Sequence, residues 1–268
     1  MAVKPNLFKR NLGKKQQFGM FCTLASPLLT EVFAHLPFDW ILIDTEHSPN
    51  EPADVVHQLQ VLSGFPIPAI VRPAWSDMVM TKRWLDLGAQ TLLFPYVQSA
   101  EQAALAVSHA RYAPRGIRGV SGASRAAGYG LTPDYFKTVE EELCIIVQIE
   151  SPEALADIEA IATVDGVDGV FLGPSDLAAS MGHLGNPQHP DVQRAVDDGF
   201  RRLAAIGKPR GYITNNEEEM RRRAAQGIEF LAIATDTAII ARGAKQLLEA
   251  AKSSAPSAQL SGEAPNPS

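Results

Sequence analysis

"CIIVQIESPEALADIEAIATVDGVDGVFLGPSD", residues 144–176, holds the unit from which the fold can be read. "CIIVQIE" (144–150) is apolar almost continuously rather than at alternate positions, as a strand covered on both faces must be. "SPEALADIEAIATV" then follows helical spacing behind a Ser-Pro start, which suits a helix cap and first turn. "GVFLG" (169–173) is a second continuous run, and "PSD" after it begins another capped helix. A strand, a helix and a second strand in this order form a βαβ unit with parallel strands.

The same alternation extends in both directions. Further apolar runs are "FGMFCTL" (18–24), "WILID" (40–44), "PAIVR" (68–72), "TLLFPYV" (91–97), "PRGYIT" (209–214) and "EFLAIAT" (229–235). Helical stretches lie between them: "SPLLTEVFAHL" behind Ser26, "SDMVMTKRWLDLG" from Ser76 to Gly88, "SAEQAALAVSHARY", "DVQRAVDDGFRRLAAIG" and "NEEEMRRRAAQG". Several start on a small polar residue and stop on Gly. Eight strands alternating with helices in 268 residues, with no break in composition, match a (β/α)8 TIM barrel better than an open doubly wound sheet. "PRGYIT" is the weakest strand, and without it an open sheet would follow. One barrel domain is expected over 1–252. "SSAPSAQLSGEAPNPS" (253–268) is expected to be a disordered tail, unable to bury enough surface to offset its chain entropy.

Apolar residues make up 46% and charged ones 20%, so the chain can bury a full core without a metal or disulfide staple. A net charge of −6 with both signs dispersed argues against a nucleic-acid partner, which needs a basic face. The one basic cluster, Lys4, Lys9, Arg10, Lys14 and Lys15, reads as a solvated first segment. Cys22 and Cys144 sit inside apolar runs and form neither a zinc spacing nor a disulfide framework; they read as core residues in a reducing cytoplasm. The start has no apolar signal core, and no run approaches the roughly 18 residues of a membrane span. A cytoplasmic protein with no membrane partner is expected.

Active sites of such barrels stand where strands end and βα loops begin. Those ends carry Asp44, Glu46 and His47 after the second run, and Arg72, Pro73 and Trp75 after the third. Gln148 and Glu150 follow the fifth, and Gly173, Pro174, Ser175 and Asp176 the sixth. Glu150 and Asp176, each behind an apolar run, would repel one another unless a cation lay between them. With no thiolate nearby, a hard or borderline ion such as Mg2+ or Mn2+ suits the pair. Either acid could instead serve a helix start, in "ESPEAL" or "GPSDLA". Arg72 can bind a carboxylate, stabilise developing oxygen charge, or form a structural ion pair with Asp44 or Glu46. His47 is the general-base candidate, since imidazole titrates near the working pH. Asp86, in "KRWLDLG", orients that imidazole if its helix end turns inward, and is otherwise a surface acid. His35, His57, His109, His183 and His189 lie on presumed helices or polar loops and read as non-catalytic. "PRGIRGVSGASRAAGYG" (114–130) lacks the Gly-Lys-Ser/Thr ending of a phosphate loop; it reads as a plain connection, or as a loop for an anionic substrate or a neighbouring subunit.

Taken in order, "FDWILIDTEHSPN", "RPAW", "PRGIRGV", "VQIE", "VDGVFLGPSDLAASMG" and "GNPQHPDVQ" resemble the HpcH/HpaI aldolases, from about residue 17 to about 245. The resemblance implies a barrel of the phosphoenolpyruvate/pyruvate-binding type and a class II aldolase that cleaves 4-hydroxy-2-oxo acids to pyruvate, or hydroxypyruvate, and an aldehyde. It implies Glu150 and Asp176 as ligands of Mg2+, Mn2+ or Co2+, His47 as catalytic base and Arg72 as transition-state stabiliser. Asp86 would raise the basicity of the His. Gln148, Ser175, Asp176 and Arg72 would contact the pyruvate unit. Ser175 stands where Ala is frequent in the family, and it keeps the backbone N–H that binding would use. The family's usual assembly is a homohexamer, a trimer of dimers, with the last helix exchanged; here the helix near 236–252 would take that part. Two alternatives stay open: a lyase of the citramalyl-CoA type acting on a CoA thioester, and a barrel that binds a 2-oxo acid without turning it over.

Overall fold

The structure, a computed structural model, describes residues 3–254. Eight strands form: β1 (Gln17–Cys22), β2 (Trp40–Asp44), β3 (Ala69–Arg72), β4 (Thr91–Phe94), β5 (Cys144–Ile149), β6 (Gly169–Leu172), β7 (Arg210–Ile213) and β8 (Phe230–Thr235). All neighbours are parallel, and the strands close in sequence order, β8 against β1. Helix α1 (Leu7–Asn11) precedes them. Helices α2 (Pro27–Ala34), α3 (Pro52–Leu62), α4 (Met78–Asp86) and α5 (Ala100–Ala110) follow the first four strands in turn. A short α6 (Tyr135–Thr138) interrupts the long return to β5, and α7 (Pro152–Ala156) and α8 (Ile158–Ala162) follow that strand. The last strands are followed by α9 (Pro174–Ser180) and α10 (Pro190–Ala205), α11 (Glu217–Ala225) and α12 (Asp236–Ser254).

The closed TIM barrel is the architecture read from the sequence, and its weakest strand forms as β7. Three details differ. "SPEALADIEAIATV" is two short helices, parted where Asp157 leaves helical geometry (φ −100°, ψ 18°). Helix α3 was not among the helical stretches identified, although Pro52 in its first turn and a Glu51–Asp54 capping box mark its start. The expected tail at 253–268 lies outside the described residues from 255 onward; Ser253 and Ser254 complete α12.

Both faces of the strands are buried, which is why their sequences are continuous rather than alternating. Inside the barrel Phe21, Trp40, Leu42, Ile146, Phe171 and Phe230 pack together. Two glycines make room for the large rings: a Cβ on Gly19 would stand 2.1 Å from the Trp40 ring, and one on Gly211 would stand 2.1 Å from the Phe230 ring. Helix α1 plugs the floor. Phe8 is fully buried, edge-on to Phe230 at 5.5 Å and to Trp40 at 6.0 Å. The basic first segment is therefore more than a solvated leader. Its Lys9, Arg10 and Lys15 reach Asp168, Glu142 and Asp39 at 3.5, 2.6 and 2.7 Å, while Phe8 just before them closes the barrel.

Cys22 and Cys144 are unpaired and buried. Burial, with the nearby Asp236 charge, pushes the Cys22 thiol up to about 12, and burial holds Cys144 far above the ordinary thiol range. Both are core residues without a reactive thiolate. No helix of the described residues is long and apolar enough to cross a membrane.

Candidate active site

The C-terminal strand ends open on a cavity of about 690 Å3, lined by Asp44, His47, Arg72, Gln148, Ser175 and Asp176 among others. Its charged floor follows from strand register. Asp44 ends β2, Arg72 ends β3, and the two are paired positions across the sheet. The guanidinium donates from Nε and Nη2 to the two Asp44 carboxylate oxygens at 2.8 Å each, the forked geometry that Arg alone provides. Its Nη1 lies 2.7 Å from Glu46 Oε2. Burial alone would lower the Arg72 pKa, but the bond to Asp44 and the charges of Asp44, Glu46 and Glu150 carry it above the ordinary value. So the ion pair and the position in the cavity hold together: Arg72 is a structural partner of both acids and also faces the cavity.

The turn after β2 explains the opening of "TEHSPN". The Asp44 carbonyl accepts from Ser48 Oγ and, at 2.7 Å, from Asn50 Nδ2. Asn50 Oδ1 accepts in turn from Gln58 Nε2 of α3 at 2.6 Å. That locked turn carries His47 to the rim with its side chain 66% exposed, and its Nε2 stands 3.9 Å from Glu46 Oε2.

Glu150 and Asp176 come to the same end of the barrel, from different settings. Glu150 is 2% exposed, whereas Asp176, in the first turn of α9, is exposed. Burial first, then repulsion from Glu46 and Asp176, pushes the Glu150 carboxyl up to about 8 against the opposing pull of Arg72. Glu46 is also pushed up, by burial, with Arg72 and His47 opposing and Asp44 and Asp176 adding repulsion. Gln148 Nε2 donates to Glu150 Oε1, while Gln148 Oε1 is buried with no hydrogen-bond partner among the described residues. Gly173 lets both side chains pack against the backbone at the head of α9: a Cβ there would stand 2.6 Å from Glu150 Oε1 and 2.8 Å from Gln148 Nε2. Glu46 is engaged by Arg72, while Glu150 and Asp176 repel one another, a repulsion that a hard divalent cation between them would relieve. Among the described residues, the three metal-ligating side chains that already lie within reach of a single ion are His183, His189 and Asp191.

Asp86 is elsewhere. It ends α4, at the barrel end opposite His47, and accepts from Arg118 Nη2 at 2.9 Å. Within one chain no His47–Asp86 pair forms, and the carboxylate beside the imidazole is Glu46. Of the other histidines, His183 and His189 stack at 3.5 Å with Asp191 beside them, in the connection to α10 and its first turn. His189 Nδ1 accepts from the Asp191 N–H as the helix cap, so that imidazole serves α10. Not foreseen in the sequence are Thr23, Thr214, Asn215 and Thr235, which line the far side of the cavity beyond β1, β7 and β8. Their signal was their position at the end of an apolar run, within it for Thr23, Thr214 and Thr235 and just after it for Asn215.

The model of the HpcH/HpaI aldolase/citrate lyase family matches residues 17–242. A pyruvate aldolase of Rhizobium etli is 48% identical over 92% of this chain and 98% of its own length. A 4-hydroxy-2-oxo-heptane-1,7-dioate aldolase of Klebsiella pneumoniae is 47% identical over 90% of this chain and 92% of its own. Among solved structures, an HpcH/HpaI aldolase/citrate lyase family protein from Burkholderia cenocepacia superposes with a TM-score of 0.89 at 34% identity, covering 92% of this chain and 99% of that one. With the family model and the relatives in agreement over nearly the whole chain, and the same fold in the solved structure, this protein belongs to the HpcH/HpaI aldolase/citrate lyase family.

Proposed function

We propose that this chain is a class II, divalent-metal-dependent aldolase that reversibly cleaves 4-hydroxy-2-oxo acids to pyruvate, or hydroxypyruvate, and an aldehyde. The observation that carries it is the gathering of Asp176, Arg72 and His47 from three strand ends around one cavity, with Glu150 from a fourth buried beside Gly173 of its lining, in a chain 48% identical to a pyruvate aldolase. Glu150 and Asp176 would hold Mg2+, Mn2+ or Co2+, which supplies Lewis-acid stabilisation of enolate charge on the order of several kcal/mol. The protein's own groups do the rest. Arg72, fixed by Asp44 and Glu46, presents positive charge toward the 2-oxo oxygen, where negative charge grows. The Gln148 amide and the backbone at Ser175, at the start of α9, orient the carboxylate and keto group. In cleavage His47 accepts the C4 hydroxyl proton, directly or through water, as the C3–C4 bond electrons become the C2–C3 double bond, charge passes to the 2-oxo oxygen and the aldehyde leaves; a proton from His47 or water then goes to C3 to give pyruvate. In synthesis the same proton returns. Asp86 can reach a His47 only from a second copy of the chain.

Arg72 is the one Lys or Arg side chain lining the cavity among the described residues. This disfavours a Schiff-base mechanism and leaves no second cation within the cavity for a CoA phosphate. A homo-oligomer, a hexamer in this proposal, is supported by exposed apolar side chains on α12 (Ile239, Ile240, Leu247 and Leu248) and on α2 (Leu28 and Val32). A cytoplasmic location is supported by the two unpaired thiols.

Release of pyruvate from a 4-hydroxy-2-oxo acid, followed with and without chelator and with the CoA thioester of citramalate as second substrate, tests the proposal. Activity that disappears with chelator, returns with Mn2+ or Mg2+ and is lost in Glu150→Gln supports it. Undiminished activity under chelation, or turnover of the thioester alone, overturns it.

A further inference from the structure

At the opposite end of the barrel lies a second cavity, of about 460 Å3, which shares no lining residue with the first. It is walled by the last turns of α3 and α4, the starts of β3 and β4, the first described residues of the chain and the segment 118–139. Leu59, Leu62, Phe65, Ile67, Leu85 and Leu143 make its walls apolar. Among the described residues three cations line it, Lys4, Arg118 and Arg125, and no Asp or Glu does. Arg118 is 3% exposed. It lies 4.5 Å above the Tyr112 ring, and its Nη2 holds Asp86, yet its Nε is buried with no hydrogen-bond partner among the described residues. Arg125 and Lys4 donate only to main-chain carbonyls, of Leu87 at 2.7 Å and Ser63 at 3.0 Å. Gly88 makes way for the Arg125 head, since a Cβ there would stand 2.8 Å from Nη1.

A buried guanidinium with an unused N–H is expensive to keep, and although Asp86 pairs with Arg118, Lys4 and Arg125 reach only neutral main-chain carbonyls. A planar organic carboxylate would satisfy both at once. Its oxygens suit the guanidinium fork, and its carbon body suits the apolar walls. A cavity of this size falls in the range of ordinary small-ligand sites. We propose that this cavity is a second ligand site, separate from the catalytic mouth, for an organic carboxylate with a compact apolar or aromatic body. The Arg- and Gly-rich segment 114–130 supplies two of its three cations, Arg118 and Arg125, and the first described residues supply Lys4.

The test uses the full chain and 3-(4-bromophenyl)propionate, with 3-(4-bromophenyl)propanol as neutral control. Calorimetry is expected to show saturable binding of the acid and none of the alcohol. The double variant Lys4→Gln/Arg125→Gln, which leaves the buried Arg118 in place, is expected to raise Kd by roughly tenfold. In a crystal soaked with the acid, the bromine anomalous peak is expected beside Leu59 and Leu62. No saturable binding, equal binding of the alcohol, a Kd unmoved in the double variant, or a bromine peak only beside Arg72 would each overturn the proposal.

Discussion

At the residue scale, Arg72 shows how far one side chain serves both fold and chemistry. Asp44 is 1% exposed and depends on its two bonds from Arg72. Removing the guanidinium strands a buried charge, so Arg72→Ala is expected to cost ~3–5 kcal/mol of unfolding free energy in urea titrations. Arg72→Lys keeps the charge and loses the fork; it is expected to fold and to release pyruvate about 100-fold more slowly. Glu150 titrates in the opposite sense to a salt-bridged acid. Its carboxyl is raised from an ordinary 4.5 to about 8, so the folded chain holds this proton more tightly than the unfolded one. The contribution is complete below pH 4.5 and is lost as pH climbs through 8. In chelator, the unfolding free energy from urea titration should fall across that window, by an amount on the order of 3 kcal/mol or less, and Glu150→Gln should flatten the trend. Mn2+ affinity should rise over the same window, because the ion displaces the proton.

At the element scale the junction of β6 and α9 decides the geometry. Gly173→Ala places a methyl against Glu150 and Gln148 while leaving the strand intact. Far-UV circular dichroism should be unchanged and Mn2+ affinity, read by electron paramagnetic resonance, weaker by roughly tenfold or more. Ser175→Ala, two residues on, keeps the backbone N–H at an exposed position and should change kcat/KM by no more than about threefold. These junctions were legible in the sequence because a strand buried on both faces must be apolar throughout, so its end is marked by the first charged residue. Asp44, Arg72 and Glu150 were all visible that way. Helix α3 was harder to see, since "PADVVHQLQVL" places polar residues among its apolar ones and hides its periodicity. The partition of the strand-end acids could not be read either. Whether Arg72 served Asp44 or Glu46 depended on side-chain reach across β2 and β3, and the answer was both. The position of Asp86 was implicit in the topology: a helix in a β/α barrel returns toward the strand N-termini, so its last residue stands away from the mouth.

At the scale of the whole molecule, closure of β8 on β1 rests partly on one carboxylate. Asp236, 1% exposed at the head of α12, accepts from Thr23 N at 2.8 Å, Thr23 Oγ1 at 2.6 Å and Leu24 N at 3.0 Å. Asp236→Ala orphans these donors and is expected to lower stability by roughly 2–4 kcal/mol in urea, with Asp236→Asn recovering part. Beyond that latch α12 runs on for nineteen residues, of which Asp236 alone is buried. A helix that scarcely touches its own barrel lacks the tertiary packing on which helices in water depend. Its persistence is then a matter of company. On serial dilution of the protein, helical ellipticity should decline before the barrel's near-ultraviolet aromatic signal changes, and the same helix should become the first site cut by a protease.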